Sequence, residues 1–241
     1  MTTLLKKTLL IAWCSVSLLA NPPDVIKYEA SYLGLALLDM TLTWQDQDST
    51  VSISYDNRLK PFIANFRNLH NVYTVNFKKE SFEPLSWSKR IVEGNKVFSL
   101  SAKREGDHGM VHFSNGVTRA FPEGAFTVFS ATHFLASKVS DPNFFPAKLA
   151  IFLDGEIWQA KATRYTIEDP HPDFKIQPAQ VLIQTDLHYV SGSRVMKKND
   201  ILMDVIATEG TRFMLWIEAN GHYSKAQFGR FPKAVVLERV P

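Results

Sequence analysis

The most regular feature of the chain is alternation of apolar and polar residues with period two, the pattern of strands with one buried face. Val51, Ile53 and Tyr55 alternate with Ser52 and Ser54; Tyr73, Val75 and Phe77 alternate with Thr74 and Asn76; Phe98, Leu100 and Ala102 alternate with Ser99 and Ser101. Two-residue turn signals separate such runs. Asn115-Gly116, Asp154-Gly155 and Asn220-Gly221 each tolerate the positive φ that tight hairpin turns demand, and Glu93-Gly94-Asn95 supplies a looser one. Between Phe126 and Val139 the spacing changes, and Val128, Ala131, Leu135 and Val139 fall at helical intervals before Asp141-Pro142 stops the run. Two loops follow from composition: 140–146 and the Pro-rich 168–178. The pattern predicts an all-β, mainly antiparallel domain of about a dozen short strands, forming a strongly curved sheet or open β-barrel. One short helix should lie against it or plug its open end.

The first twenty residues break this pattern in a different way. Lys6 and Lys7 precede an apolar stretch from Thr8 to Ala20, shorter than the ~20 residues that span a bilayer. This reads as a signal peptide over residues 1–20, cut after Ala20, leaving residues 21–241 as one β-rich domain delivered to the periplasm. Cys14 follows the bulky Trp13 midway through the run, so it does not mark lipoprotein attachment. It is also the sole cysteine, and the mature chain has no thiol for disulfides, metal ligation or nucleophilic catalysis. The formal charge of +3 comes mostly from Lys6 and Lys7. A near-neutral mature chain lacks the field that gathers nucleic acid, and none is expected as a partner.

The segment Tyr28-Glu-Ala-Ser-Tyr32-Leu-Gly34-Leu-Ala-Leu-Leu, the run Phe126-Thr-Val-Phe-Ser130-Ala-Thr-His133-Phe-Leu135, the strand Phe213-Met-Leu-Trp216-Ile and the closing Pro232-Lys-Ala-Val-Val-Leu237 together resemble an exported bacterial family filed as domain of unknown function 3108. The resemblance spans roughly residues 25 to 240. It implies an exported β-rich fold and brings no activity and no catalytic residues. Two positions depart from the family pattern: Thr127 stands where an acid opens the mid-chain run, and Glu218-Ala219-Asn220 stands where an aspartate follows the tryptophan strand.

Candidate chemistry is sparse. His108-Gly-Met-Val-His112 has the best metal-like spacing, but on a strand Asp107 points away from the two imidazoles, leaving no third ligand. Glu168-Asp-Pro-His171-Pro-Asp173 lacks the ligand spacing and hinge glycine of a calcium loop and reads as a solvated turn. Val190-Ser-Gly192-Ser193 lacks the second glycine of a nucleophile elbow. No metal site and no cofactor is assigned, and whether the protein is an enzyme stays open, with the motifs pointing away from one. Aromatic residues make up 12% of the chain. A concave aromatic face can hold an apolar molecule, although the same side chains also build ordinary β cores. The sequence therefore points to a non-catalytic periplasmic protein that binds an apolar or lipid-like ligand, or an envelope partner, on its curved sheet. Trp87, Phe126, Phe129, Trp158 and Trp216 are the candidate contacts, with the 126–139 helix as lid. Two alternatives stand beside it. One is an envelope hydrolase or polysaccharide-active enzyme, which would need His108, His112, Asp186 and His188 to converge. The other is a structural component of an envelope complex, which would show a broad apolar patch.

Overall fold

A computed structural model describes residues 24–64, 68–106, 109–196, 200–230 and 234–241, with the backbone alone at Ile201. The expected signal segment, Asp107 and His108 lie outside the described residues. Among the described residues fourteen antiparallel strands form one sheet. The first meander comprises β1 (Asp24–Tyr32), β2 (Leu35–Asp46), β3 (Thr50–Leu59), β4 (Leu69–Lys78), β5 (Pro84–Glu93), β6 (Lys96–Glu105), β7 (Met110–Phe113) and β8 (Thr118–Ala120). The second comprises β9 (Ala147–Leu153), β10 (Glu156–Tyr165), β11 (Gln180–Gly192), β12 (Arg212–Glu218), β13 (Tyr223–Phe228) and β14 (Val235–Arg239). The first and last strands join them, with Tyr28 opposite Arg239 and Tyr32 opposite Val235.

All four turn signals sit in hairpins, joining β5 to β6, β7 to β8, β9 to β10 and β12 to β13. The alternating apolar residues face inward: Val51, Ile53, Tyr55, Tyr73, Val75, Phe77, Leu100 and Ala102 are all buried.

Helices are more numerous than expected. α1 (Pro61–Ala64) links β3 to β4, α2 (Val128–Ser137) occupies the predicted position, and α3 (Ile201–Ile206) precedes β12. α2 begins where Thr127 and Ser130 cap one another: the Thr127 hydroxyl accepts from the Ser130 amide at 3.1 Å, and the Ser130 hydroxyl accepts from the Thr127 amide at 3.0 Å. Thr127 thus performs the capping for which an acid at that position would also serve. Val128, Ala131 and Leu135 are buried, so α2 is a filler of the interior.

The two ends of the sheet do not pair; they overlap. Lys89 is opposite Leu100 and Trp87 opposite Ala102, which puts Trp87 on the same inward face as Ile91. Phe152 of β9 packs against Trp87, Phe113 and Phe121 with ring centroids 5.0 to 6.3 Å away, while its neighbours Ile151 and Leu153 join the main core on the opposite side of β9. The outer face of β9 therefore lies on the inner face of β5–β7, as in a rolled scroll. The free edge of β9 is partly covered by Phe126, whose amide donates to the Ala150 carbonyl at 2.9 Å and whose carbonyl accepts from the Phe152 amide at 2.7 Å.

Candidate functional site

The scroll encloses more space than its side chains fill. An apolar cavity of about 300 Å³ lies between β1–β4, β12–β14, α2 and α3. Small residues Ala30, Ser31 and Ala226 leave the space, and Met40, Leu215, Phe228 and Leu237 coat it. Among the described residues its lining contains no Asp, Glu, Lys, Arg or His. At one end it reaches Tyr32, Leu37 and Ile63, beside the exposed Leu33, Leu35 and Phe62.

Several polar groups that reach the wall have protein partners. The Asn57 amide donates to the Asn71 carbonyl oxygen at 3.2 Å, and the Asn71 side-chain oxygen accepts from the Val92 amide at 3.2 Å. Tyr73 donates to Asp200 at 2.7 Å. At the deep end His133 of α2 bridges two phenols, with Nε2 at 2.7 Å from the Tyr55 hydroxyl and Nδ1 at 2.7 Å from the Tyr223 hydroxyl. Tyr223 also donates to Thr132, whose own hydroxyl donates to the Phe129 carbonyl. One proton assignment satisfies this chain: Tyr55 donates to Nε2, and Nδ1–H donates to Tyr223. Desolvation, assisted by His222, holds the His133 pKa down to about 3, so the imidazole is neutral near pH 7. Burial likewise pushes the Tyr55, Tyr73 and Tyr223 phenols far up. The cavity thus presents mainly hydrocarbon, with no charged side chain among the described residues of its lining.

A second polar network holds the wall in place. Lys89 of β5 lies between Asp154, in the β9–β10 turn, and Asp200, the N-cap of α3, at 2.9 Å from the latter. All three side chains are no more than 8% exposed. Burial opposes the Lys89 charge, but the carboxylates of Asp154 and Asp200 outweigh it and raise its pKa. Burial, with the neighbouring Asp200 carboxylate adding to it, raises the Asp154 pKa despite the opposing pull of Lys89. Asp200 also accepts from the Met203 amide at 3.2 Å, and the next residue back, Leu202, lines the cavity.

The five sequence candidates are not brought together. Phe129 lines the cavity, stacked on Tyr55 with centroids 4.5 Å apart. Trp87 is in the scroll seam with Phe113, Phe121 and Phe152. Phe126 pairs with β9 and stacks on Phe134 at 4.7 Å. Trp158 is buried against Tyr189, and Trp216 faces outward under Phe174. The helix expected as a lid instead supplies Phe129 and Thr132 to the wall.

The chemical motifs are also dispersed. His112 is exposed beside Glu105, His188 is exposed beside Glu209, and Asp186 lies 3.6 Å from Arg212. Among the described residues no group of three or more His, Cys, Asp or Glu could hold a metal ion. His171, read as part of a solvated turn, is buried: it bonds Gln184 at 2.8 Å and fixes the 168–178 loop over the outer sheet face, where Phe174 and Ile176 cover Trp216. Gly192 of the weak serine motif closes tightly on the Gly155 carbonyl, a contact that leaves no room for a Cβ.

No family model and no curated protein sequence matches the chain. Among solved structures it is similar to the crystal structure of a β-barrel-like protein of domain of unknown function DUF1849 from Brucella abortus. The TM-score is 0.53 at 12% identity, covering 91% of this chain and 96% of that one. That likeness shows the β-barrel-like fold. The narrower resemblance to family 3108 has no matching family model behind it, and what stands is kinship in fold to a protein of unknown function.

Proposed function

We propose that this protein is a non-catalytic carrier or sensor, exported to the periplasm, that takes the hydrocarbon part of an amphipathic ligand into the cavity inside its rolled sheet. The observation that carries this reading is the lining itself: about 300 Å³ of space walled by aliphatic and aromatic side chains, with every bonded polar group at its wall turned to a protein partner. Volume at the low end of small-molecule pockets favours a single chain over a two-chain lipid. A buried carboxylate or phosphate would meet no cation there, so the polar end of the ligand stays at the entrance near Tyr32, Leu37 and Ile63. Export rests on the leader-like residues 1–20.

Among the described residues no tryptophan lines the cavity, so tryptophan fluorescence is a poor reporter of occupancy. The test is native mass spectrometry of the protein purified from envelope extracts, paired with titration of a fluorescent fatty acid. A stoichiometric adduct and saturable, competable probe binding are expected. An empty protein that ignores the probe would remove the reading and favour a protein partner.

A further inference from the structure

A second cavity, about 310 Å³, lies beyond the deep end of the first, between Ile26, Tyr28, Leu42, Trp44, Phe82, His133 and Tyr223. Tyr223 lines both spaces. Tyr55 lines only the first and His133 only the second, yet their polar atoms touch at 2.7 Å. The barrier between the two spaces is therefore one side chain thick at Tyr223 and two at the Tyr55–His133 contact. We propose that the Tyr55–His133–Tyr223 bridge is a partition that fixes how long a hydrocarbon chain the protein accepts. Without it the two cavities would form one continuous space of roughly twice the volume.

The inference rests on the ligand reading above but adds a specific claim to it. Three features support a partition over an incidental core contact. The bridge is held at both ends by short hydrogen bonds and braced by Thr132, so it does not yield to a hydrocarbon chain pressing on it. The Trp44 ring meets the imidazole edge-on, with centroids 5.1 Å apart, and fixes its plane. The far space carries Ile26, Leu42, Trp44 and Phe82 beside Asp24, Asn220 and His222, so a chain passing the bridge would find further apolar wall.

The test compares binding of a graded series of linear saturated fatty acids to the wild-type protein and to His133→Gly, by displacement of a fluorescent fatty acid and by native mass spectrometry. Wild type should show an optimum length beyond which affinity stops rising. In the variant the optimum should move to longer chains, each methylene that gains burial tightening Kd roughly four-fold. Free imidazole, refilling the space, should return the optimum to the wild-type length. Should His133→Gly fold poorly, Tyr55→Phe/His133→Ala opens the same wall and leaves no phenol orphaned, because Tyr223 keeps Thr132. A folded variant with the wild-type length profile would overturn the partition while leaving the ligand reading intact. A wild-type protein blind to the whole series would overturn both.

Discussion

Replacing Lys89 with Met tests whether the buried ion cluster holds the cavity wall. Lys89→Met keeps the unbranched chain out to Cε but leaves Asp154 and Asp200 facing one another without their cation. Breaking a buried pair from one side costs about 3–5 kcal/mol, since the abandoned charge has no water to turn to. For a domain of this size that corresponds to roughly 6–20 °C in Tm. The loss should depend on pH, and its sign follows from Asp154. Its pKa is already raised in the folded state, and removing Lys89 raises it further. The folded variant therefore binds a proton that the unfolded chain has released, and its stability falls as pH rises from about 4 toward the folded value, by at most ~1.4 kcal/mol per pH unit. Urea unfolding at about pH 5 and about pH 8 should show a larger deficit at the higher pH. Lys89→Met/Asp154→Asn should recover most of it. A deficit below about 1 kcal/mol, or one that neither varies with pH nor responds to the second substitution, would refute the assignment of these groups as a charged triad.

Three further outcomes follow from the geometry. Ala226→Phe should abolish binding of the fluorescent fatty acid yet cost less than the ~1–3 kcal/mol typical of overpacking, because its ring enters existing space; calorimetry and probe titration together decide it. Trp216→Ala, on the outer face, should destabilise by about 3–5 kcal/mol in urea unfolding while leaving Kd for the probe unchanged. His133 is neutral in the folded state down to about pH 3, whereas the unfolded imidazole protonates near 6.5, so stability should decline as pH falls between those values. Relative to His133→Gln, wild type should lose about 2 kcal/mol between about pH 7 and pH 5, read from paired denaturation curves.

The strands were legible because burial here is one-sided. A residue such as Ile53 or Val75 has a polar neighbour on each side, and only one register buries the apolar set. The hairpins were legible because Asn-Gly and Asp-Gly announce them locally. The scroll was not, because nothing in β9 says that Phe152 will meet Trp87 of β5, ten places away in the strand order of the sheet. The ion cluster did carry a readable sign. Lys89 shares strand parity with Trp87 and Ile91, so a charged residue stood at an inward position and required a buried partner. These tryptophans do not mark the cavity because large rings fill seams: Trp87 closes the overlap, Trp158 packs on Tyr189, and Trp216 sits under the 168–178 loop. Empty space arises where side chains are small, and Ala30, Ser31 and Ala226 give no periodic signal that sets them apart from ordinary core alanines and serines.

The cavity itself follows from strand number. A closed barrel of about eight strands is just filled by its own side chains, and the interior widens as strands are added. Fourteen strands rolled past closure cannot fill their centre, even with β9 tucked inside the other edge. Something must occupy the remainder or it stays void at a cost in lost dispersion contacts. α2 and α3 take part of it, with Leu135 and Ile206 fully buried. They are too short to take all of it, being ten and six residues long. The Tyr55–His133–Tyr223 bridge then divides what is left, using side chains that span the gap end to end. A chain selected only for a stable core could have lengthened α3 or enlarged Ala226 with little penalty. An apolar hollow above a hydrogen-bonded floor is what the proposed carrier or sensor role requires.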